Sequence, residues 1–187
     1  MILEALVTTV DELGHVNLAP MGPHVDSGLT QFILRPFNTS RTYANLRATG
    51  CAVVHISDNT LLLAQAAINQ LVGLPDLVKL DDSRFIRLAD CCRWFALEID
   101  HWLEDPMRPA AVCRLVASGS VRDFFGFCRA KHAVVEAAIL ATRVHMLNSG
   151  FLQSELDRLR TLVDKTGGTD EIDAFDLISA FVERQRT

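Results

Sequence analysis

The chain contains no C-x-x-C, no H-E-x-x-H, no apolar run long enough to cross a bilayer and no excess of basic residues. Each absence removes a class of function. Its five cysteines, Cys51, Cys91, Cys92, Cys113 and Cys128, are odd in number, with one adjacent pair. A disulfide scaffold or a structural zinc site is therefore not expected, and reduced, mostly buried thiols are. The six histidines show no short metal-ligand spacing, so no metal is expected. A formal net charge of −5 gives no electrostatic reason for nucleic acid or an anionic membrane as partner. Met1-Ile2-Leu3-Glu4-Ala5 carries no basic leader, which makes a cytoplasmic location the expectation. Serine or cysteine nucleophiles have no local signature, and no residue stands out as a general acid or base. His24, in a loop with Asp26, is the one candidate proton donor, although an ordinary exposed histidine explains it as well.

What is present is an ordinary globular composition, 49% hydrophobic and 22% charged over 187 residues, enough for a sizeable core. The chain has two compositional halves, taken as 1–125 and 126–187. The first reads as strands over 2–10, 15–19, 28–34, 51–57, 92–102 and 111–121, broken by helices over 40–49 and 59–70. Residues 71–83, with Gly73-Leu74-Pro75, carry no clear pattern. Six strands in two hairpin-like groups suggest a small, mainly antiparallel barrel. The second half reads as three helices, over 128–147, 152–163 and 171–184, giving an α+β chain with a helical extension. Asn148-Ser149-Gly150 is read as the end of the first. Lys165-Thr166-Gly167-Gly168 lacks the G-x-x-x-x-G-K-[ST] framework and is read as a helix stop with a left-handed glycine.

The richest stretch is Arg35-Pro36-Phe37-Asn38-Thr39-Ser40-Arg41-Thr42-Tyr43-Ala44-Asn45-Leu46, between a strand and a helix. Arg35 can fork two donors onto phosphate oxygens, and Thr39, Ser40 and Thr42 add hydroxyls near the positive end of the helix. Capping by Asn38 or Thr39 explains one of these residues, not an arginine and three hydroxyls together. A second signal lies in the helix beginning near Cys128. At roughly 100° per residue, Arg129, His132, Glu136 and Arg143 share a sector about 60° wide on an otherwise apolar helix. Internal pairing of Glu136 with its basic neighbours explains that stripe; lining an anionic cofactor pocket is the alternative.

The order of elements resembles the FMN-binding split-barrel superfamily, which includes flavin reductases and pyridoxamine phosphate oxidase-like proteins. The resemblance rests on Val7-Thr8-Thr9, on residues 14–22 and on 35–46. Residues 124–143 and 165–168 bring the chain closer to a family of such barrels with a helical C-terminal extension. It implies a six-stranded, mainly antiparallel split β-barrel with a three-helix extension, a homodimer, and FMN as cofactor. Carried over by position, it places Arg35, Thr39, Ser40 and Thr42 at the flavin phosphate with Asn45 nearby. Asn17, Pro20, Met21 and Gly22 would run along the ring, and Arg129 and His132 would contribute from the extension. Phe37, Phe125 and Phe127 are candidates to stack on the ring or to pack in a core. The pyridoxamine phosphate branch fits less well, because its basic set for a phosphorylated substrate is not evident. The implied function is FMN-dependent hydride or electron transfer to a small redox substrate. A flavin carrier or sensor without turnover, or a helical interaction module without flavin, are the alternatives.

Overall fold

The structure, a computed structural model, describes residues 1–186; Thr187, the last residue of the expected extension, lies outside the described residues. The residues divide into two compact units, Met1–Ser57 with Gly73–Phe124, and Asp58–Val72 with Phe125–Thr187.

The first unit is built on one antiparallel sheet. Its strands are β1 (Ala5–Val10), β2 (Val16–Met21), β3 (His24–Val25), β4 (Gln31–Leu34), β5 (Cys51–Ile56), β8 (Arg93–Leu103) and β9 (Ala110–Ser120), in the spatial order β2-β1-β5-β8-β9-β4-β3. The two expected hairpins are there: Val7 opposes Ala19 in one, and Trp102 opposes Ala111 in the other. Ile2, just before β1, bridges to His24 of the far edge strand, so the sheet curls round and meets itself. Leu3 donates to the Pro23 carbonyl at 3.1 Å beside that seam.

Alternation along the strands turns Val7, Phe32, Leu34, Val54, Phe95 and Leu97 into a buried interior. Phe32 and Phe95 lie against each other there, ring centres 5.1 Å apart. All six strands read from the sequence exist. The structure adds short β3 and a separate two-stranded ribbon, β6 (Leu77–Lys79) and β7 (Ile86–Leu88), within the stretch left unassigned. Both are too short to show a period.

His55 fastens this ribbon to the sheet. Its Nδ1 lies 3.0 Å from the Leu6 carbonyl of β1, and its Nε2 accepts from the Leu88 N–H of β7 at 3.1 Å. The ring is fully buried, and burial pushes its pKa down to about 4. A neutral tautomer serves both bonds, which makes the imidazole part of the frame.

α1 (Arg41–Thr49) lies after β4. Its N-cap is Ser40, whose hydroxyl accepts from the Tyr43 N–H, and Gly50 closes it at φ 68° with its N–H on the Leu46 carbonyl. Thr42 and Asn45 face inward and tie α1 down. Thr42 Oγ1 accepts from Asn17 Nδ2 of β2 at 3.1 Å, and Asn45 Nδ2 donates to Thr9 Oγ1 of β1 at 3.1 Å.

The second unit is helical: α2 (Thr60–Ala67), α3 (Arg129–Ala141), α4 (Ser149–Thr166) and α5 (Thr169–Arg186). Leu63 and Ile68, at α2 and its C-cap, share a core with Val134, Ala137, Leu156, Leu159, Phe175 and Ile178. The reading that put α2 with the strands followed chain order, whereas its apolar face belongs with the later helices. α3 stops at Ala141, earlier than expected, and Asn148 opens α4 instead of closing α3, accepting from the N–H groups of Gly150 and Phe151. Gly167 is extended at φ −85°, not left-handed. Its need is for space: a Cβ there would lie 2.8 Å from the Val163 carbonyl and 3.3 Å from Ala130 Cβ. No helix among the described residues is long and apolar enough to cross a membrane.

Candidate functional site

The start of α1 collects the features expected of an anion site. Arg35 follows the last residue of β4 and is exposed, as is Thr39. The first turn of α1 holds no acidic residue. Ser40 satisfies one orphan N–H, and the remaining donors of that turn carry the positive end of the helix dipole.

The hydroxyl cluster divides, and this corrects the expectation for two of its members. Ser40 Oγ donates to the Phe37 carbonyl at 2.7 Å while accepting from Tyr43, so its proton is committed to the cap. Thr42 is 3% exposed and engaged by Asn17, and Asn45 is 4% exposed and holds Thr9. These three residues, with Asn17, fix the helix rather than face outward. The donors presented outward are Arg35, Thr39 and the backbone of the first turn.

Two cations missed in the sequence join them. Arg41 is the first residue of α1 and is exposed. Arg108, from the β8–β9 turn, lays its guanidinium over the Phe37 ring, 4.7 Å from its centre. Asn38 Nδ2 donates to the Pro106 carbonyl at 2.7 Å, clamping this turn to the loop that carries Arg35. Asp105 orders the turn by accepting from the N–H groups of Arg108 at 2.7 Å and Met107 at 2.9 Å. Those bonds, with the nearby Arg35 charge, hold its carboxyl below the usual range. Only the register of a hairpin distant in sequence brings Arg108 here, so local spacing gave no signal for it.

Pro20 and Met21 end β2, opposite Leu6 and Ala5, and are half-buried. Gly22 follows, and a Cβ there would lie 2.8 Å from Ile2 Cγ2, so the residue makes room for the N-terminal segment at the barrel seam. Asp26 is a turn former, accepting from the N–H groups of Thr30 and Gln31 at 2.8 Å each. The Gln31 N–H foremost draws its pKa down to about 2, which leaves it no proton to give. His24 is a strand residue opposite Ile33.

In the helical unit, Arg129 and His132 are exposed on α3, and His132 stacks on Phe127 with ring centres 6.0 Å apart. Glu136 forms no ion pair with Arg129, His132 or Arg143 among the described residues; its field falls instead on Arg158. The strong pair on α3 is Lys131 with Glu171 of α5, at 2.7 Å. The same amine donates to the Asp58 carbonyl at 2.8 Å. Burial favours the neutral acid of Glu171, but the Lys131 bond and the Gly168 N–H outweigh it and lower its pKa. Cys51, Cys91, Cys92 and Cys113 are buried free thiols, and burial pushes Cys91 up to about 11 and Cys113 to about 12, which makes them inert. No group of three or more histidine, cysteine or carboxylate side chains among the described residues is placed to hold a metal ion.

Against known structures, the fold has clear counterparts. An FMN-bound protein from Methanosarcina mazei, assigned to DUF447, superposes with a TM-score of 0.82 over 96% of this chain and 94% of its own, at 22% identity. Flavoredoxin from Methanosarcina acetivorans matches with a TM-score of 0.56 at 15% identity, over 64% of this chain and 69% of its own. An FMN-binding protein from Thermus thermophilus gives 0.54 at 14% identity, over 65% and 73%. At these identities the likeness establishes the fold, a flavin-reductase-like split barrel with C-terminal helices. No curated protein matches the sequence. Two family models do: "Protein of unknown function (DUF447) N-terminal domain" over residues 3–122 and "Protein of unknown function (DUF447)" over 128–180. The chain belongs to the DUF447 family.

Proposed function

We propose that this chain is an FMN-binding flavoprotein that serves as an oxidoreductase for a small redox substrate. The observation that carries the reading is Arg35, an exposed guanidinium with no ion pair among the described residues, at the uncapped side of a helix whose first turn lacks acid. That donor set suits a phosphate monoester, whose charge of about −1.5 to −2 meets both a cation and oriented N–H groups. It lies in a fold shared along nearly its full length with an FMN-bound protein.

Arg35, Thr39 and the first turn of α1 would hold the phosphate. Residues 17–22, whose half-buried β2 end supplies backbone polar groups and the Met21 thioether, would flank the ring. When bound, the flavin supplies the hydride or electron transfer, and the protein binds and orients it. Asn17 and Asn45 contribute by fixing α1, so that the donors do not have to be ordered when the ligand arrives. The barrel also fits a homodimer, the assembly in which related barrels hold their flavin.

The absorbance spectrum of the purified protein after incubation with FMN tests the reading. A bound-flavin spectrum is expected for the wild type. Arg35→Ala should weaken retention, since losing a charge-assisted bond costs about 1.5–3 kcal/mol, roughly ten- to a hundredfold in affinity. A colourless protein with no gain in thermal stability from added FMN refutes it. Oxidation of a reduced nicotinamide by the loaded protein, no faster than by free FMN, would leave a carrier in place of an enzyme.

A further inference from the structure

We propose that the cationic face formed by Arg41 and Arg108 binds a second anionic group beside the flavin phosphate, so that the redox substrate is itself a phosphorylated compound. The inference rests on the flavin reading and extends it to the class of substrate.

The first observation is a contrast in how this unit uses its arginines. Arg47 holds Glu104 at 2.7 Å, Arg84 holds Asp82 and Glu98, Arg114 holds Glu98, and Arg122 holds Asp90. Arg35, Arg41 and Arg108 form no ion pair among the described residues. All three border the loop that leads into α1. In a chain of net charge −5, unpaired cations gathered at one place make a local field of opposite sign to the whole.

The second observation is charge balance. One phosphate monoester brings about −1.5 to −2. Three guanidiniums and the positive end of a helix, worth about half a charge, present roughly +3.5. Asp105, the nearest acid to Arg35 in its effect, is already occupied by the N–H groups of Met107 and Arg108. A single flavin phosphate therefore leaves between one and two positive charges unanswered, by the same estimate.

The third is order. Arg108 rests on the Phe37 ring, and its turn is held by Asp105 within and by the Asn38–Pro106 bond across to the α1 loop. A guanidinium that is only a solubilising charge needs no such frame. One stacked on an aromatic face and clamped by two sets of bonds is set in place for a planar, bidentate anion.

The test titrates the FMN-loaded protein with inorganic pyrophosphate by calorimetry. Binding is expected for the wild type. Arg41→Ala and Arg108→Ala should each weaken it at least tenfold while changing FMN affinity less than threefold, and Arg35→Ala should do the reverse. Two results overturn the inference: flavin-loaded wild type that ignores pyrophosphate, or an Arg108→Ala variant that loses FMN as severely as Arg35→Ala. The latter would mean that all three arginines serve one phosphate. A wild type that takes up no flavin removes the functional reading and this inference with it, a result distinct from flavin uptake without pyrophosphate binding.

Discussion

His55 shows how much a single side chain can decide. It is the only polar residue of β5 in its buried run, and it joins two strands that have no direct ladder between them. Its folded pKa, about 4, lies below the ordinary value of 6.5. The unfolded chain therefore takes a proton first as pH falls. The stability this histidine confers is complete above about pH 6.5 and is lost progressively down to about pH 4, on the order of 3 kcal/mol in all. Denaturant midpoints measured across that interval should fall steeply for the wild type. His55→Leu should be less stable at neutral pH, because the Leu6 carbonyl and Leu88 N–H lose their partner, yet should lack this part of the pH slope. An unchanged slope in the variant would assign the effect elsewhere. Nothing adjacent in sequence identified this role, because both partners are backbone groups of other strands. Arg35 was legible for the opposite reason, as its phosphate chemistry is written in contiguous residues.

At the scale of the element, α1 is where expectation and structure part most usefully. Its position and both ends could be read, since Ser40 and Gly50 are the residue types that start and stop helices. The division of labour among its hydroxyls could not, because it depends on which face meets β1 and β2. Ser40→Ala should cost about 1 kcal/mol in stability through the lost cap, and Ser40→Asn should restore it. Thermal melts of both variants without flavin check this; equal stability of all three proteins would return Ser40 to the ligand-facing set. The same limit explains α3 and α4. Thr142 to Leu147 contains no glycine or proline to announce a break, and Asn148-Ser149-Gly150 reads equally as an end or a beginning. Only the side-chain bonds of Asn148 decide for a beginning.

For the whole molecule, composition gave two halves with a boundary near residue 125, and the strands and helices on either side are there. What composition hides is that α2, embedded among strands in sequence, packs with the C-terminal helices. A short apolar helix carries no mark of which distant neighbour will cover it. Amide hydrogen exchange reads this out: the protected N–H groups of α2 should open with the same free energy as those of α3 to α5. Opening together with β5 and β8 instead would detach α2 from the helical core.

The discontinuity of the helical unit has a consequence for synthesis. Leu63, Ala64 and Ile68 leave the ribosome well before their packing partners, with the 52 residues of Gly73–Phe124 made in between. Throughout that interval a greasy helix has nothing native to rest on while strands are pairing around it. Holding chaperones should find the nascent chain most exposed during this stage, and slowing translation after Ala67 should raise the share that aggregates.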